Sequence, residues 1–489
     1  MIHAPRLVRV LPISLIFLSA WAWYITFDHS TPSFDIQHLS QHSDAEQRVF
    51  RDEAPLTPPP PPISKYNISE LWFPVTETHR LDGHPRWEAE NNAALSSLLI
   101  CMQKNDCEPN QDKVVILSSF HFKGAVNGWT AGEDVWARST IIALRNLGYT
   151  ILYAASKDHT IRLHQMIPSL VIAIFAEQAM LDECFDDEIE CIKSIHNPYG
   201  LPIWKMLAFF WWQPPTGPLG GMWTLSPEPY EMQGMGPSLY LGYSIEHSCA
   251  NIPFVPHHKR PERAYILTKR LRYLAESKDR AWPPEYFATA SREIGVELML
   301  GTQEESVMGE DGEVFRPQDS LGETLNLVQE MPMNQFLTEL SKSRVLIGVG
   351  RPSTCVSSTS PSLRPFTPFL SSPTPYEALC LGVPFINPIL SWDPKRPTDR
   401  SLWRSQHSTL KSLDPPYVYN VFINDKQGFV KAIKSALNNP IDSFVPEHMR
   451  MKSIESRLQH ILERDYYTAA KHALERRKLG QEEGPYFTL

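Results

Sequence analysis

The stretch that most constrains how this chain can fold lies at residues 344–388. Residues 344–350, R-V-L-I-G-V-G, are typical of a buried strand that runs into a glycine turn. Further along, Thr374 is placed to cap a short helix with Pro375 at its first position, and Gly382 suits the left-handed residue that ends one. A second apolar run, V-P-F-I, follows directly. This order of strand, glycine turn, capped helix and strand is the one in which open α/β sheets present a helix N-terminus to a phosphorylated ligand.

Glu377, within this stretch, has two interpretations. It lies three residues after Thr374, so it can complete a T-x-x-E capping box and do nothing more. It also belongs to a longer motif, in which a Gly-x-Gly strand end is followed by P-x-P-x-E-A, a glycine and F-x-N-P. The residues of that motif are Gly348, Gly350, Pro373, Pro375, Glu377, Ala378, Gly382, Phe385, Asn387 and Pro388. The motif resembles the donor-binding stretch of the alpha-1,6-mannosylglycoprotein 6-beta-N-acetylglucosaminyltransferases, the N-acetylglucosaminyltransferase V family.

The resemblance covers about residues 113–450 and implies both a fold and an activity. The implied fold is α/β of the GT-B type, with two Rossmann-like domains facing a cleft. The implied activity is that of an inverting glycosyltransferase that needs no metal or other cofactor. It would move N-acetylglucosamine from UDP-N-acetylglucosamine to a mannose of a glycoprotein N-glycan in β-1,6 linkage. A different sugar or acceptor on the same fold is the alternative enzyme. The implied partners are therefore a nucleotide sugar and a glycoprotein N-glycan.

The resemblance also assigns a donor site. Glu377 would accept hydrogen bonds from the ribose hydroxyls of the nucleotide, and Gly348, Gly350 and Pro375 would lie beside the donor. Lys269 follows a predicted strand where the family has glycine-lysine, a position suited to the donor diphosphate. The glycine itself is replaced here, and an ordinary exposed lysine is the alternative. Since the chain shows no D-x-D motif for a metal, this lysine and helix N-termini would balance the charge of the leaving diphosphate.

Glu133 is the candidate catalytic base. The surrounding pattern predicts a βαβ unit, with a buried strand at 113–118, a helix at about 133–147 and a strand at 150–154. An acid in the first turn of a helix is favoured by the macrodipole, which is the structural interpretation. Inverting sugar transfer needs a carboxylate beside the acceptor hydroxyl, and the related family has a glycine-glutamate pair at the start of this helix with the glutamate as base. Asp134 is the alternative candidate.

Two further pairs lie before the predicted domain boundary. The run L-G-Y-S-I-E-H resembles the family's sequence at this point, which makes Glu246 and His247 candidates to line the acceptor cleft. A hydrogen-bonded structural pair is the alternative. Cys184 and Cys191 flank an acidic run, and a disulfide between them fits an oxidising lumen. The acidic run lacks the spacing of a metal-binding D-x-D, so we predict a solvated face.

Composition argues against one class of function. The chain has 55 Asp and Glu against 46 Lys and Arg, a net charge of -9. There is no basic excess to neutralise phosphates, so we predict no nucleic-acid partner. The length of 489 residues leaves room for two or three domains. Seven cysteines are an odd number, which leaves at least one thiol unpaired within a monomer.

The N-terminus predicts a membrane anchor. Residues 1–10 contain two arginines, and residues 11–27 contain no charged side chain. This length is at the short end of a spanning helix, and the basic flank predicts that the tail stays in the cytosol. A cleaved signal peptide with an A-W-A site is the alternative, although bulky aromatics around the site disfavour cleavage. A short span suits a thin early secretory membrane, so we predict a single-pass type II protein of the Golgi membrane.

The remaining boundaries follow from these patterns. A Pro-rich stem is expected at 28–112, with an N-glycosylation sequon at Asn67. An acceptor-side Rossmann-like domain is expected at 113–255 and a donor-binding one at 256–440. C-terminal helices are expected at 441–489, where they would pack back on the first domain.

Two features depart from the family pattern. Where the family passes almost directly from Gly350 to Pro373, this chain carries an insertion at 354–371 that is rich in Ser, Thr and Pro. Such a loop at a nucleotide site opposes preorganisation and is rare on length alone. It is either a retained intron or a change that leaves an inactive, membrane-anchored glycan-binding protein. A family lysine that helps to hold the donor is matched only by His407 or Lys411.

Overall fold

The computed structural model describes residues 86–129, 131–209, 219–229, 238–268, 270–277, 280–302, 304–309, 312–322, 324–328, 331–350 and 372–489. The predicted anchor at 11–27, Asn67, Lys269 and the insertion at 354–371 lie outside these residues. Within the described ranges, no helix combines the length and apolarity that a membrane span requires.

The first part of the described chain alternates helices and strands. In chain order the elements are α1 Arg86–Lys104, β1 Val114–Ser118, α2 Phe120–Val126, α3 Gly132–Asn146, β2 Thr150–Tyr153, α4 Lys157–Met166, β3 Val171–Ala176, α5 Gln178–Phe185, β4 Met206–Phe209, β5 Thr224–Ser226, β6 Leu239–Tyr240 and α6 Glu246–Cys249. The strands form one parallel sheet in the order β2-β1-β3-β4-β5-β6. The winding direction reverses between β1 and β3, so their carboxyl ends form a topological switch point, where open α/β sheets bind ligands.

The second part forms another sheet. Its elements are β7 Arg263–Leu267, α7 Arg272–Ala275, α8 Pro284–Ile294, β8 Glu297–Gly301, β9 Val307–Met308, β10 Val314–Phe315, α9 Pro317–Leu321, β11 Leu325–Val328, α10 Met333–Ser341, β12 Val345–Gly348, α11 Thr374–Cys380, β13 Phe385–Ser391, β14 Arg404–Ser405, β15 Val418–Phe422 and α12 Lys426–Asn438. The parallel strands follow the order β11-β8-β7-β12-β13-β15, and β14 adds antiparallel to β13. This is the Rossmann order, with its switch point between β7 and β12. The predicted pair of Rossmann-like domains is therefore confirmed by strand order.

Two helices close the chain, α13 Met451–Leu462 and α14 Tyr466–Lys478. Helix α13 packs on α3 of the first domain, and Asn146 Nδ2 donates a hydrogen bond to Glu455 Oε1 at 2.6 Å. Arg457 Nε also donates to Leu241 O at 2.8 Å. The predicted return of the C-terminal helices to the first domain is confirmed.

Helix α1 lies in the range that composition assigned to the stem, yet it packs on strand β2 of the first domain. Asn91 Nδ2 donates to Tyr153 O at 2.8 Å, and Asn91 Oδ1 accepts from Tyr153 N at 2.7 Å. The side chain thus satisfies the backbone of β2, which is the edge strand of the sheet that the described residues form. The first domain accordingly begins before residue 113, because a helix that covers a sheet edge keeps a polar outer face and resembles a stem in composition.

Six of the seven cysteines form disulfides: Cys101–Cys107, Cys184–Cys191 and Cys249–Cys380. The predicted bridge between Cys184 and Cys191 is confirmed. The seventh cysteine, Cys355, lies outside the described residues. Disulfides at this density are typical of oxidising compartments.

Candidate active site

The two candidate bases, Glu133 and Asp134, are adjacent at the start of α3 but have different surroundings. Asp134 is 2% exposed, and its Oδ2 accepts a hydrogen bond from Ala131 N at 2.9 Å. Its Oδ1 lies 2.9 Å from His121 Nδ1. Glu133 is half-buried and makes no hydrogen bond or ion pair with any residue that the structure describes. Asp134 therefore caps the helix and anchors it to α2, whereas the carboxylate of Glu133 has no such partner among the described residues.

These helices lie at the switch point of the first sheet. Strand β1 ends at Ser118, and α2 begins at Phe120 after the cap residue Ser119. Phe120 N donates to Glu177 Oε1 at 2.6 Å, and Glu177 directly follows β3. The loops after β1 and β3 are thereby joined, which fixes α2 and the start of α3 at the carboxyl end of the sheet.

Trp129, an exposed aromatic residue, lies in the loop between α2 and α3. The sequence did not predict it as a site residue. Its side chain is 49% exposed, and its backbone N donates to Gly124 O at 2.8 Å. A Cβ on Gly124 would lie 2.3 Å from the Trp129 ring, so the glycine is needed for the ring to pack there. The only sequence signal was the run of glycines between β1 and α3.

Gly348 and Gly350 lie at the switch point of the second sheet, but their backbone groups already have partners. A Cβ on Gly348 would lie 2.3 Å from Gln406 Oε1, and Gly350 has a positive φ of 95°. Gly350 N donates to Gln406 Oε1 at 2.8 Å, and Gly348 O accepts from Trp282 Nε1 at 2.7 Å. Both glycines are required for close packing of this turn, and the Gly350 amide is not available to a phosphate in this conformation.

Helix α11 carries Pro375 and Glu377 in its first turns. Pro373, in the αR conformation, is the N-cap residue, so the helix begins at Thr374 and Pro375 is its second residue. The cap makes no side-chain hydrogen bond, so the predicted T-x-x-E capping box is not formed. Pro375 and Glu377 are buried, and Glu377 is 0% exposed. The capping-box interpretation of Glu377 is therefore wrong, because the turn starts one residue earlier than the Thr374 signal indicated.

His407 and Lys411, the two positions that match the donor lysine of the family, have structural partners. His407 is 1% exposed, and burial lowers its pKa to about 3, so the imidazole is neutral. Its Nε2 lies 3.3 Å from Ser372 O. Lys411 Nζ donates to Trp403 O at 2.8 Å. His407 supplies no positive charge to a diphosphate, and Lys411 is held against the backbone.

Glu246 and His247 differ from each other in role. Glu246 Oε2 accepts from Met451 N at 2.7 Å, at the first residue of α13, and from Ser244 Oγ at 3.3 Å. Glu246 thus fastens the start of α13 to the first domain through Met451 and Ser244, and not through a pair with His247. His247 is 3% exposed, and burial lowers its pKa to about 3, with a smaller effect from Arg138 on α3.

The segment at 243–249 connects the helices that carry Glu133 and Glu377. Ser244 N donates to Ser139 Oγ of α3 at 2.8 Å. At the other end of the segment, Cys249 is disulfide-bonded to Cys380, the last residue of α11. The structure therefore links the two candidate site helices through one short segment.

No protein-family model and no curated protein sequence matches this chain. Solved structures match at low identity. A glycosyltransferase involved in avilamycin A biosynthesis is 12% identical, with a TM-score of 0.39 over 76% of this chain and 99% of that one. An O-GlcNAc transferase mutant from Thermobaculum terrenum is 11% identical, with a TM-score of 0.30 over 81% and 75%. MurG from Acinetobacter baumannii is 9% identical, with a TM-score of 0.31 over 71% and 99%.

Metal ligands do not cluster in the described part of the chain. Among those residues, no group of three or more His, Cys, Asp or Glu side chains is arranged to hold a metal ion.

Proposed function

We propose that this chain is an inverting glycosyltransferase that moves N-acetylglucosamine from UDP-N-acetylglucosamine to a mannose of a glycoprotein N-glycan. The β-1,6 linkage, the donor sugar, the acceptor and the independence from metal all belong to the proposal, and the sequence resemblance supports them. We further propose a type II orientation in the Golgi membrane, with residues 11–27 as the anchor. The three disulfides support an oxidising compartment for the domains.

The observation that carries this proposal is the division of roles between Glu133 and Asp134. The two adjacent carboxylates lie in the first turn of α3, at the switch point of the first sheet. Both oxygens of Asp134 are hydrogen-bonded, to Ala131 N and to His121 Nδ1. The cap uses the carboxylate of Asp134, and Glu133 has no hydrogen-bond or ion-pair partner among the described residues. A half-buried carboxylate at the ligand-binding end of a parallel sheet supports the proposal of a general base.

In the proposed reaction, Glu133 takes the proton of the acceptor hydroxyl. The hydroxyl oxygen forms a bond to the anomeric carbon as the bond from that carbon to the diphosphate breaks on the opposite face. The electron pair of the broken bond leaves with UDP, and the configuration at the anomeric carbon is inverted. Glu377 would hold the ribose, and Lys269 would pair with the diphosphate.

The test is turnover of UDP-N-acetylglucosamine by the full-length chain in EDTA, with a mannose-terminated N-glycan as acceptor. UDP-glucose and UDP-galactose serve as comparison donors. We expect turnover that survives EDTA, prefers the N-acetylated donor and fails in Glu133→Gln. Asp134→Asn is the matched control, because it removes the neighbouring carboxylate and leaves the proposed base. Turnover that persists in Glu133→Gln contradicts the proposal.

The insertion provides a second arm. A variant that lacks 354–371 joins the two halves of the donor motif as the related family has them. If the shortened chain transfers sugar and the full chain does not, the full chain is an inactive form. If neither uses a UDP-sugar but both bind N-glycans, the chain is a glycan-binding protein and the transferase proposal fails.

A further inference from the structure

A buried carboxyl group lies where the two domains meet. Glu228 follows β5 in the first domain and is 1% exposed. Its Oε1 accepts a hydrogen bond from Tyr243 Oη at 3.4 Å, and the hydroxyl of Thr409 in the second domain also interacts with the carboxyl. Its Oε2 has no hydrogen-bond partner among the residues that the structure describes. No element of the proposed reaction uses this group.

Thr409 connects this carboxyl to helix α11. Thr409 Oγ1 lies 2.5 Å from Tyr376 Oη and 3.1 Å from His407 Nδ1. The Tyr376 ring contacts the Tyr243 ring edge-on, with centroids 6.1 Å apart. Tyr376 is fully buried and directly precedes Glu377. A continuous set of contacts therefore runs from Glu228 to the residue beside the proposed ribose ligand.

Burial in the interface favours the neutral form of Glu228. Burial raises its pKa to about 8, and the hydrogen bonds from Thr409 and Tyr243 lower it by less. No described basic side chain forms an ion pair with it. A neutral carboxyl still accepts the hydrogen bond that Tyr243 Oη donates, because its carbonyl oxygen keeps its lone pairs.

The other titratable and charged groups around this interface do not compensate a charge on Glu228. Burial raises the pKa of Tyr240, and the Arg457 guanidinium from α13 stacks on the Tyr240 ring at 4.5 Å while it donates to Leu241 O. Burial lowers the pKa of His448, and His407 is neutral as described above. Ionisation of Glu228 would leave a buried charge without a counter-ion, which is costly.

We propose that Glu228 is a positioning residue, whose neutral carboxyl ties the first domain to Thr409 and thereby holds Tyr376 and Glu377 in the orientation that binds the nucleotide. This inference rests on the proposed function, since it takes Glu377 as the ribose ligand. Ionised Glu228 would favour separation of the interface. UDP affinity should therefore fall as Glu228 ionises.

The test is UDP binding by the full-length chain, measured by titration calorimetry from pH 6.5 to 9. With a pKa near 8, Glu228 is protonated in about one molecule in ten at pH 9. The wild-type Kd for UDP should therefore be about tenfold higher at pH 9 than at pH 7. Glu228→Gln keeps a neutral hydrogen-bonding group, and its Kd should match the wild type at pH 7 and stay flat. Glu228→Ala should bind UDP weakly at every pH.

If Glu228→Gln loses as much UDP affinity between pH 7 and pH 9 as the wild type does, the inference is overturned, because a group other than Glu228 then titrates. If the wild type does not bind UDP at any pH, the proposed function fails. The contact between Glu228 and the Thr409–Tyr376 pair is then tested separately, by the midpoints of denaturant unfolding. Glu228→Ala and Tyr376→Phe should then be non-additive in a double-mutant cycle. The pair Glu228→Ala and Tyr265→Phe, a buried tyrosine on β7, should be additive. Additive shifts in both cycles overturn the contact.

Discussion

Cys249 and Cys380 form a disulfide that joins the end of α6 to the end of α11, across a sequence separation of 131 residues. The bond crosses from the first domain to the second and reaches the helix that carries Glu377. It therefore limits how far this side of the interface can open. No pattern in the sequence pairs these two cysteines, since they lie in different domains.

Removal of this disulfide should weaken both stability and UDP binding. In the chain-entropy estimate, a loop of this length contributes about 4–5 kcal/mol. The double variant Cys249→Ala with Cys380→Ala should lose about that much in denaturant unfolding and should bind UDP more weakly, because α11 is no longer held. Cys184→Ala with Cys191→Ala is the control, expected to lose about 2–3 kcal/mol with UDP affinity unchanged. Equal losses of affinity in both variants would show that α11 has no special dependence on its bridge.

Glu133→Gln should lose mainly turnover, whereas Asp134→Asn should lose mainly stability. General-base catalysis contributes about 10²–10⁴-fold, so Glu133→Gln should lose turnover by that factor with an unchanged melting temperature. Asp134→Asn removes the charge of the helix cap and should cost about 1 kcal/mol of stability, with a smaller loss of turnover. Steady-state kinetics and thermal unfolding on the same preparations check both. A larger loss of turnover in Asp134→Asn would make Asp134 the base.

Glu246→Ala should act on stability and not on acceptor binding. The variant leaves Met451 N without its acceptor, which should cost about 1–2 kcal/mol. The acceptor KM of the folded enzyme should stay unchanged. Glu447, 82% exposed near the same helix, offers a control, since Glu447→Ala should change stability by less than about 0.5 kcal/mol. A raised acceptor KM with normal stability would instead support the predicted cleft role of Glu246.

His164 should make the protein sensitive to acid. It is 4% exposed, both ring nitrogens lack hydrogen-bond partners among the described residues, and burial lowers its pKa to about 4. Between about pH 6.5 and 4 the unfolded chain binds the proton and the folded chain does not, so stability falls as pH falls. The loss is of order 3 kcal/mol from this group alone.

His164→Leu should remove that part of the decline and leave UDP binding unchanged, because α4 lies outside the candidate site. Unfolding midpoints at pH 7.5 and pH 4.5 measure the difference. An unchanged difference between the two pH values would mean that His164 is already protonated in the folded protein.

The sequence by itself determined the local elements of this protein. The ranges 113–118 and 344–350 contain the buried strands Val114–Ser118 and Val345–Gly348, because a parallel sheet covered on both faces favours apolar side chains. Gly350 is glycine because its φ is positive. Spacing also predicted the bridge between Cys184 and Cys191, since residues so close along the chain meet through local turns.

Only the tertiary structure decided which residues meet across the chain. The pairing of Cys249 with Cys380 and the contact of Glu228 with Thr409 depend on how two domains pack, and no local pattern records that. The same is true of Glu246, whose partner Met451 lies 205 residues further on. The sequence made Glu133 the candidate base and Asp134 its alternative, but only the fold showed that His121 lies beside Asp134. Side chains acquire such roles from three-dimensional neighbours, because hydrogen bonds and burial depend on distance in space and not along the chain.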